Sequence, residues 1–210
     1  MPPKPTANTV LPEEPPPGRY PEPPADLHQR LLPIVSTQTQ WFRIHQSRYA
    51  PLFFGRTGLY RFDAPANEYG VLYAANDEHG AFVETFDHSL DIRVIDTDDL
   101  KRRTLLVLTA TRPLNLVDLT GTGLARLGAD NCLCTGDYRL AQHWSSALWH
   151  HPESPDGVYY RFRLDLGRRC VALFDRAQAA ITAASLGSLS DARHKDLLAT
   201  LVDRYAIALL

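Results

Sequence analysis

The chain carries no periodic hydrophobic pattern from Met1 to about Pro24, a stretch crowded with prolines, and becomes patterned only from Leu27 onward. A composition of that kind cannot bury enough apolar surface to offset the entropy of ordering it. Residues 1–25 therefore read as a flexible arm and residues 26–210 as a single folded domain. Residues 26–32 predict a short helix capped by Asp26, with Leu27, Leu31 and Leu32 facing inward and Pro33 stopping it.

Residues 41–45 alternate as a strand does, and 71–75 form the short apolar run of a buried strand. Between them, residues 47–70 hold Pro51, Gly55, Gly58, Pro65 and Asn67 and read as a loop crossing the surface. Asn76 or Asp77 can cap a helix running to about His88, with Ala81, Glu84, Thr85 and His88 along one face and Phe82 and Phe86 turned to the core. Further strands are predicted at 92–95, 104–110, 114–119, 157–163 and 170–174.

Asp137 precedes an amphipathic helix in which Leu140, Trp144, Ala147 and Leu148 recur, ending near His150 ahead of Pro152. Residues 175–210 read as one helix interrupted around Gly187, then a second with Leu197, Leu198, Leu201, Val202 and Tyr205 on its inner face. Strands and helices without a regular βαβ alternation predict an α+β domain, a mixed central sheet with flanking helices.

Composition narrows the function classes. A chain of 210 residues with 44% hydrophobic content supports one core of useful size. The net charge of −2 arises from intermixed acids and bases, so no basic face points to nucleic acid or to an anionic membrane. No run of about 18 apolar residues is present and the N-terminus is not leader-like, which predicts a cytoplasmic protein. Cys132, Cys134 and Cys170 are an odd number and fit reduced thiols.

Three motif readings are weak. Cys132-x-Cys134 with His143, His150 or His151 lacks a structural-zinc spacing, so no metal is expected and the histidines read as helix-surface groups. Gly121-x-Gly123 lacks the third glycine of a dinucleotide fingerprint, and no P-loop occurs. His45, beside Arg43, reads as a strand residue making hydrogen bonds rather than as a general base.

The segments WFRIHQSRYAPLFFG, LYRFDAP and EYGVLYAANDEHGAFVETF, followed by GDYRLAQHWSSALW, DGVYYRFR and CVALFDRA, resemble the RES family over roughly residues 41–177. That resemblance implies an ADP-ribosyltransferase-like fold and a toxin that takes NAD as substrate and breaks its nicotinamide–ribose bond. It also implies a partner antitoxin, commonly with a helix-turn-helix domain, while a homo-oligomer is left open. Arg43 and Arg61 match the family's arginines, and planar guanidinium groups suit a doubly charged pyrophosphate. Tyr73 matches its tyrosine, with a ring to stack on nicotinamide and a hydroxyl to bond the ligand. Glu84 matches its glutamate, placed to stabilise an oxocarbenium-like ribose as nicotinamide leaves.

The family's serine is missing where expected, because the chain reads Phe162-Arg163 there. Thr135, Tyr138, Ser145 and Ser146 are the hydroxyls on offer nearby. Three readings stay open: an NAD glycohydrolase or phosphorylase, a protein ADP-ribosyltransferase, and a non-catalytic nucleotide- or partner-binding module on the same fold.

Overall fold

Alternating apolar positions become strands in this chain wherever both faces of one sheet can be covered. The structure, a computed structural model, describes residues 21–37, 39–86 and 93–210. The first half holds strands β1 (Ile34–Thr37), β2 (Gln40–Gln46) and β3 (Val71–Ala75), then helix α1 (Glu78–Phe86), β4 (Val94–Ile95), α2 (Thr97–Lys101), β5 (Arg103–Ala110) and β6 (Leu114–Asp118). Helices α3 (Thr122–Leu127), α4 (Cys132–Thr135) and α5 (Tyr138–Trp149) follow. The rest comprises β7 (Gly157–Arg161), β8 (Arg169–Phe174), β9 (Ile181–Gly187), α6 (Lys195–Arg204) and β10 (Ala208–Leu209).

Eight strands form one sheet in the order β1-β6-β7-β8-β3-β2-β5-β9, while β10 pairs with β4 in a separate two-stranded sheet. Within the large sheet β6 and β7 run parallel and the other neighbours antiparallel. The domain is α+β with a mixed central sheet, as predicted. One sheet face carries Leu105, Val117, Val158 and Phe174 against Phe82 of α1, Trp144 and Leu148 of α5 and Leu201 of α6. The other carries Trp41, Leu72, Leu106, Leu108 and Leu173, with Leu52 and Phe54 packed on it from the loop. No helix among the described residues is long and apolar enough to cross a membrane.

Several expectations are corrected. Residues 26–32 give only a 3-10 turn at Leu27–Gln29, and the Asp26 carboxylate accepts from Arg30 Nε at 3.1 Å instead of capping a helix. Leu27 and Leu32 are buried as expected, but Leu31 is 83% exposed, since a single 3-10 turn cannot present all three leucines to the core. Residues 175–187 do not form one helix: a 3-10 helix at Asp175–Ala180 leads into β9, which pairs along the outer edge of β5. Satisfying the β5 edge outweighs the helix propensity of the alanines there. The second C-terminal helix forms as α6.

The 47–70 loop has no long regular element but does not stay on the surface, since Phe62, Asp63, Ala64 and Tyr69 are buried. Asp77 rather than Asn76 caps α1, its Oδ1 accepting from Gly80 N at 2.7 Å, while Asn76 Oδ1 accepts from Arg169 N. Of the proline-rich arm, residues 1–20 lie outside the described residues. Its last part touches α5, where Pro21 O accepts from Trp144 Nε1 and Glu22 pairs with His143. His88 and Ile92 also lie outside the described residues.

Candidate active site

The site begins as a defect in the sheet. Neighbouring strands β2 and β3 share a single register pair among the described residues, Phe42↔Ala75, whereas β2 pairs with β5 at seven positions and β3 with β8 at five. Where β2 and β3 splay apart a cleft of about 700 Å³ opens. That volume suits a small organic ligand. Its inner wall carries Arg43 from β2, Tyr73 from β3, Glu84 from α1, and Tyr60 and Asp63 from the loop.

Gly80 explains how α1 comes to sit over the split. A Cβ at that position would lie 2.7 Å from the Ala75 side chain, so the missing side chain lets the helix press onto β3. The Asp77 cap and its ion pair with Arg168 fix the start of the helix. One and a half turns later Glu84 reaches the cleft.

Glu84 is held mainly by Tyr160, with the Cys170 thiol nearby. Its Oε1 accepts a hydrogen bond from Tyr160 Oη at 3.0 Å, while Oε2 is buried with no hydrogen-bond partner of good geometry among the described residues. Burial raises its pKa from the usual 4.5 to about 7, against the opposing pull of the Tyr160 hydroxyl, Arg61, the Cys170 thiol and Arg43. The carboxyl is poised close to half ionisation at neutral pH.

Arg43 spans the split strands, its Nη1 donating to Tyr73 O at 2.6 Å, and its Nε is buried without a partner. Burial lowers its pKa to about 10, with the Tyr60, Glu84 and Tyr73 side chains opposing that shift, so it stays cationic at neutral pH. Tyr73 lines the cleft with its ring 5.8 Å from that of Tyr60. Its hydroxyl already donates to Asp63 Oδ1 at 3.0 Å and accepts from Phe62 N at 2.9 Å. Its donor is thus committed to Asp63 and one acceptor lone pair to Phe62 N, which leaves a second lone pair and the ring face toward the cleft.

Arg61 lies behind the cleft rather than in its lining. It is 9% exposed, its Nη1 donates to Gly136 O at 2.8 Å and Leu133 O at 3.4 Å, and its guanidinium stacks 4.5 Å from the centre of the Tyr138 ring. It ties the loop to α4 and the start of α5, and its charge acts on Glu84. The structure thus brings Arg43, Tyr73 and Glu84 together at the cleft and sets Arg61 one layer behind them.

The hydroxyl candidates separate clearly. Ser145 is fully buried, accepting from Tyr69 Oη at 2.8 Å and donating to Phe62 O at 2.7 Å, so it anchors the loop between Arg61 and Asp63. Ser146 bonds Glu68, Thr135 bonds its own helix, and Tyr138 lines the cleft beneath Arg61. Phe162, in place of the missing serine, is core.

Sequence reasoning passed over Asp63 and Tyr160. Asp63 is 1% exposed and accepts from Thr57 Oγ1, Tyr60 N and Tyr73 Oη; its carboxyl is pushed up by burial, against those bonds. It stood inside the LYRFDAP segment, as Tyr160 stood inside DGVYYRFR, but nothing local marks which polar residue of a motif turns inward. His45 is buried, yet its Nδ1 has no partner, contrary to the expected hydrogen bonding. His151 is buried too, bonded to Leu27 O and Glu153 N, and so is not a helix-surface group. Gly123 is explained by packing, since a Cβ there would stand 2.1 Å from Asp118 O.

Comparison with known proteins agrees with this fold. A crystal structure of the M. tuberculosis MbcT-MbcA toxin-antitoxin complex contains a chain with the same fold, at TM-score 0.57 and 16% identity, covering 80% of this chain and 92% of that one. A probable toxin of Sinorhizobium fredii (strain NBRC 101917 / NGR234), y4kH, is 36% identical over 100 residues, which are 47% of this chain and 76% of that protein. The RES domain model matches residues 40–194, a span that takes in the splayed strands, the cleft and every candidate residue described above, and the chain belongs to the RES domain family.

Proposed function

We propose that this protein is a toxin enzyme that cleaves the nicotinamide–ribose bond of NAD and is held in check by an antitoxin partner. The observation that carries the reading is the Glu84 carboxyl, one oxygen held by Tyr160 and the other with no hydrogen-bond partner of good geometry among the described residues, beside Arg43 and Tyr73 in a cleft of ligand size. The similarity to one protein named a probable toxin, and the shared fold with a toxin solved beside its antitoxin, support the toxin role and the partner.

The chemistry follows from the charges. As the bond from ribose C1′ to the ring nitrogen breaks, its electron pair leaves with nicotinamide and positive charge develops on the ribose. An ionised Glu84 stabilises that charge in surroundings where water screens it little. Tyr73 offers a ring face to the nicotinamide, and Arg43 offers a cation to the phosphates. Water then adds at C1′ with loss of a proton to give ADP-ribose, or phosphate adds to give its phosphorylated product; a protein side chain is the third acceptor.

The test is nicotinamide release from NAD by the purified chain, with and without phosphate, beside Glu84→Gln. Release by the wild type and at least a 100-fold loss in Glu84→Gln are expected, on the scale of removing one electrostatic group from a site. Dependence on phosphate identifies the acceptor. No release, together with no transfer of label from NAD to protein, rejects the enzymatic reading in favour of the binding module.

A further inference from the structure

The arginines that line the cleft differ in what they already hold. Arg43 donates to Tyr73 O at the inner end. Arg103 is paired with Asp99 at 2.8 Å. Arg48 has no carboxylate partner among the described residues, and its guanidinium lies over the Tyr49 ring, 4.8 Å from the centroid. Tyr49 in turn stacks on Phe53 at 5.0 Å and 16°. These three side chains form a layered stack at the cleft, and all are exposed in spite of two large aromatic rings.

Chain geometry puts this stack at the rim of the cleft, just beyond the end of β2. Arg43 and His45 lie two residues apart on β2, about 7 Å along the strand, and both line the cleft. The strand ends at Gln46 and the next residues turn, carrying Arg48 and Tyr49 to the rim. The cleft therefore continues past Arg43 to a rim that presents aromatic faces together with a cation that has no carboxylate partner among the described residues. A guanidinium beside exposed aromatic rings is a combination that suits an anion attached to a planar ring.

We propose that Arg48 and the Tyr49–Phe53 stack form a subsite for a nucleoside monophosphate, with Arg48 gripping the phosphate and an aromatic face taking the base. The assignment rests on the NAD reading and extends it: the adenylate half of the dinucleotide sits here, and Arg48, rather than Arg61, joins Arg43 as the second phosphate arginine. Arg61, bonded to the carbonyls of Leu133 and Gly136, is a positioning residue.

Calorimetric titration of the full-length chain tests this with AMP, nicotinamide mononucleotide and inorganic phosphate as separate probes, in wild type, Arg48→Gln and Phe53→Leu. Both side chains are exposed, so the variants keep the fold, which thermal melting verifies. AMP binding is expected to weaken about 10-fold in each variant, an ordinary consequence of losing one charge contact or one stacking face. Binding of nicotinamide mononucleotide is expected to change less than about twofold. The proposal fails if AMP does not bind, if both variants bind it like wild type, if the mononucleotide weakens equally, or if phosphate alone binds as tightly as AMP. AMP binding lost in the variants of a protein that releases no nicotinamide keeps the subsite and rejects the enzyme. Release without AMP binding does the reverse.

Discussion

Replacing Glu84 with glutamine removes an ionisation that the fold opposes, so the energy of that ionisation can be read from stability. Glutamine keeps the volume and keeps an acceptor for the Tyr160 hydroxyl. In the wild type the folded pKa of about 7 lies above the ordinary 4.5, so the native state binds the proton more tightly than the unfolded chain does. Stability from this group is therefore complete below pH 4.5 and declines as pH rises to about 7, a sign opposite to that of a salt-bridged carboxylate. At about 1.4 kcal/mol for each pH unit, the wild type loses roughly 2 to 3 kcal/mol between pH 5 and pH 8.5 through Glu84 alone. Glutamine loses none of it. Urea unfolding of both proteins at the two pH values, with matching m-values, gives the comparison. The stability gap should move in favour of Glu84→Gln by that amount on going to pH 8.5, and every pH-independent cost of the substitution cancels. A gap that stays constant to within roughly 0.5 kcal/mol refutes the strained carboxylate.

The same group sets the pH dependence of catalysis. Nicotinamide release at saturating NAD should climb about 10-fold from pH 6 to pH 8 as Glu84 ionises, with a midpoint near 7, and a flat profile counts against the role given to the carboxylate. Ser145→Ala should cost about 2 kcal/mol, because it strands Phe62 O and removes the acceptor of Tyr69 Oη in a dry interior, while Ser146→Ala should cost under about 0.5 kcal/mol; denaturant melts of the pair decide this. Gly123→Ala should destabilise by about 1–3 kcal/mol, since its Cβ would meet Asp118 O, whereas Gly121→Ala, with open space around it but φ at +50°, should cost only about 1 kcal/mol. Equal losses at the two glycines would show that backbone strain, and not close packing, explains them.

Local pattern located most of the elements because each rests on short-range physics. The strands at Gln40–Gln46 and Val71–Ala75 follow from alternation and a short apolar run, and α5 from its cap and amphipathic stripe, with the Asp137 side chain accepting from Arg139 N as that cap requires. Two of the missed elements share a cause. Ile34–Thr37 and Ile181–Gly187 are edge strands, and an edge strand is defined by the neighbour it pairs with, β6 in one case and β5 in the other, so its own residues carry a weak signal.

The candidate residues divide in the same way. By itself the sequence determined which chemical groups are available in order along the chain: two arginines, a tyrosine in an apolar strand, and a glutamate one helix later. Tertiary structure alone decided what each group has left to offer. Tyr73 commits its donor to Asp63 and accepts from Phe62 N, and Arg61 commits Nη1 to backbone carbonyls, while among the described residues one oxygen of Glu84 has no hydrogen-bond partner and Arg48 no carboxylate partner. The reason is physical. A side chain's type is local, but its burial and hydrogen-bond partners come from segments distant in sequence, such as Ser145 holding the Phe62 loop and Tyr160 holding Glu84, and those partners exist only once the sheet has formed and β2 and β3 have splayed apart.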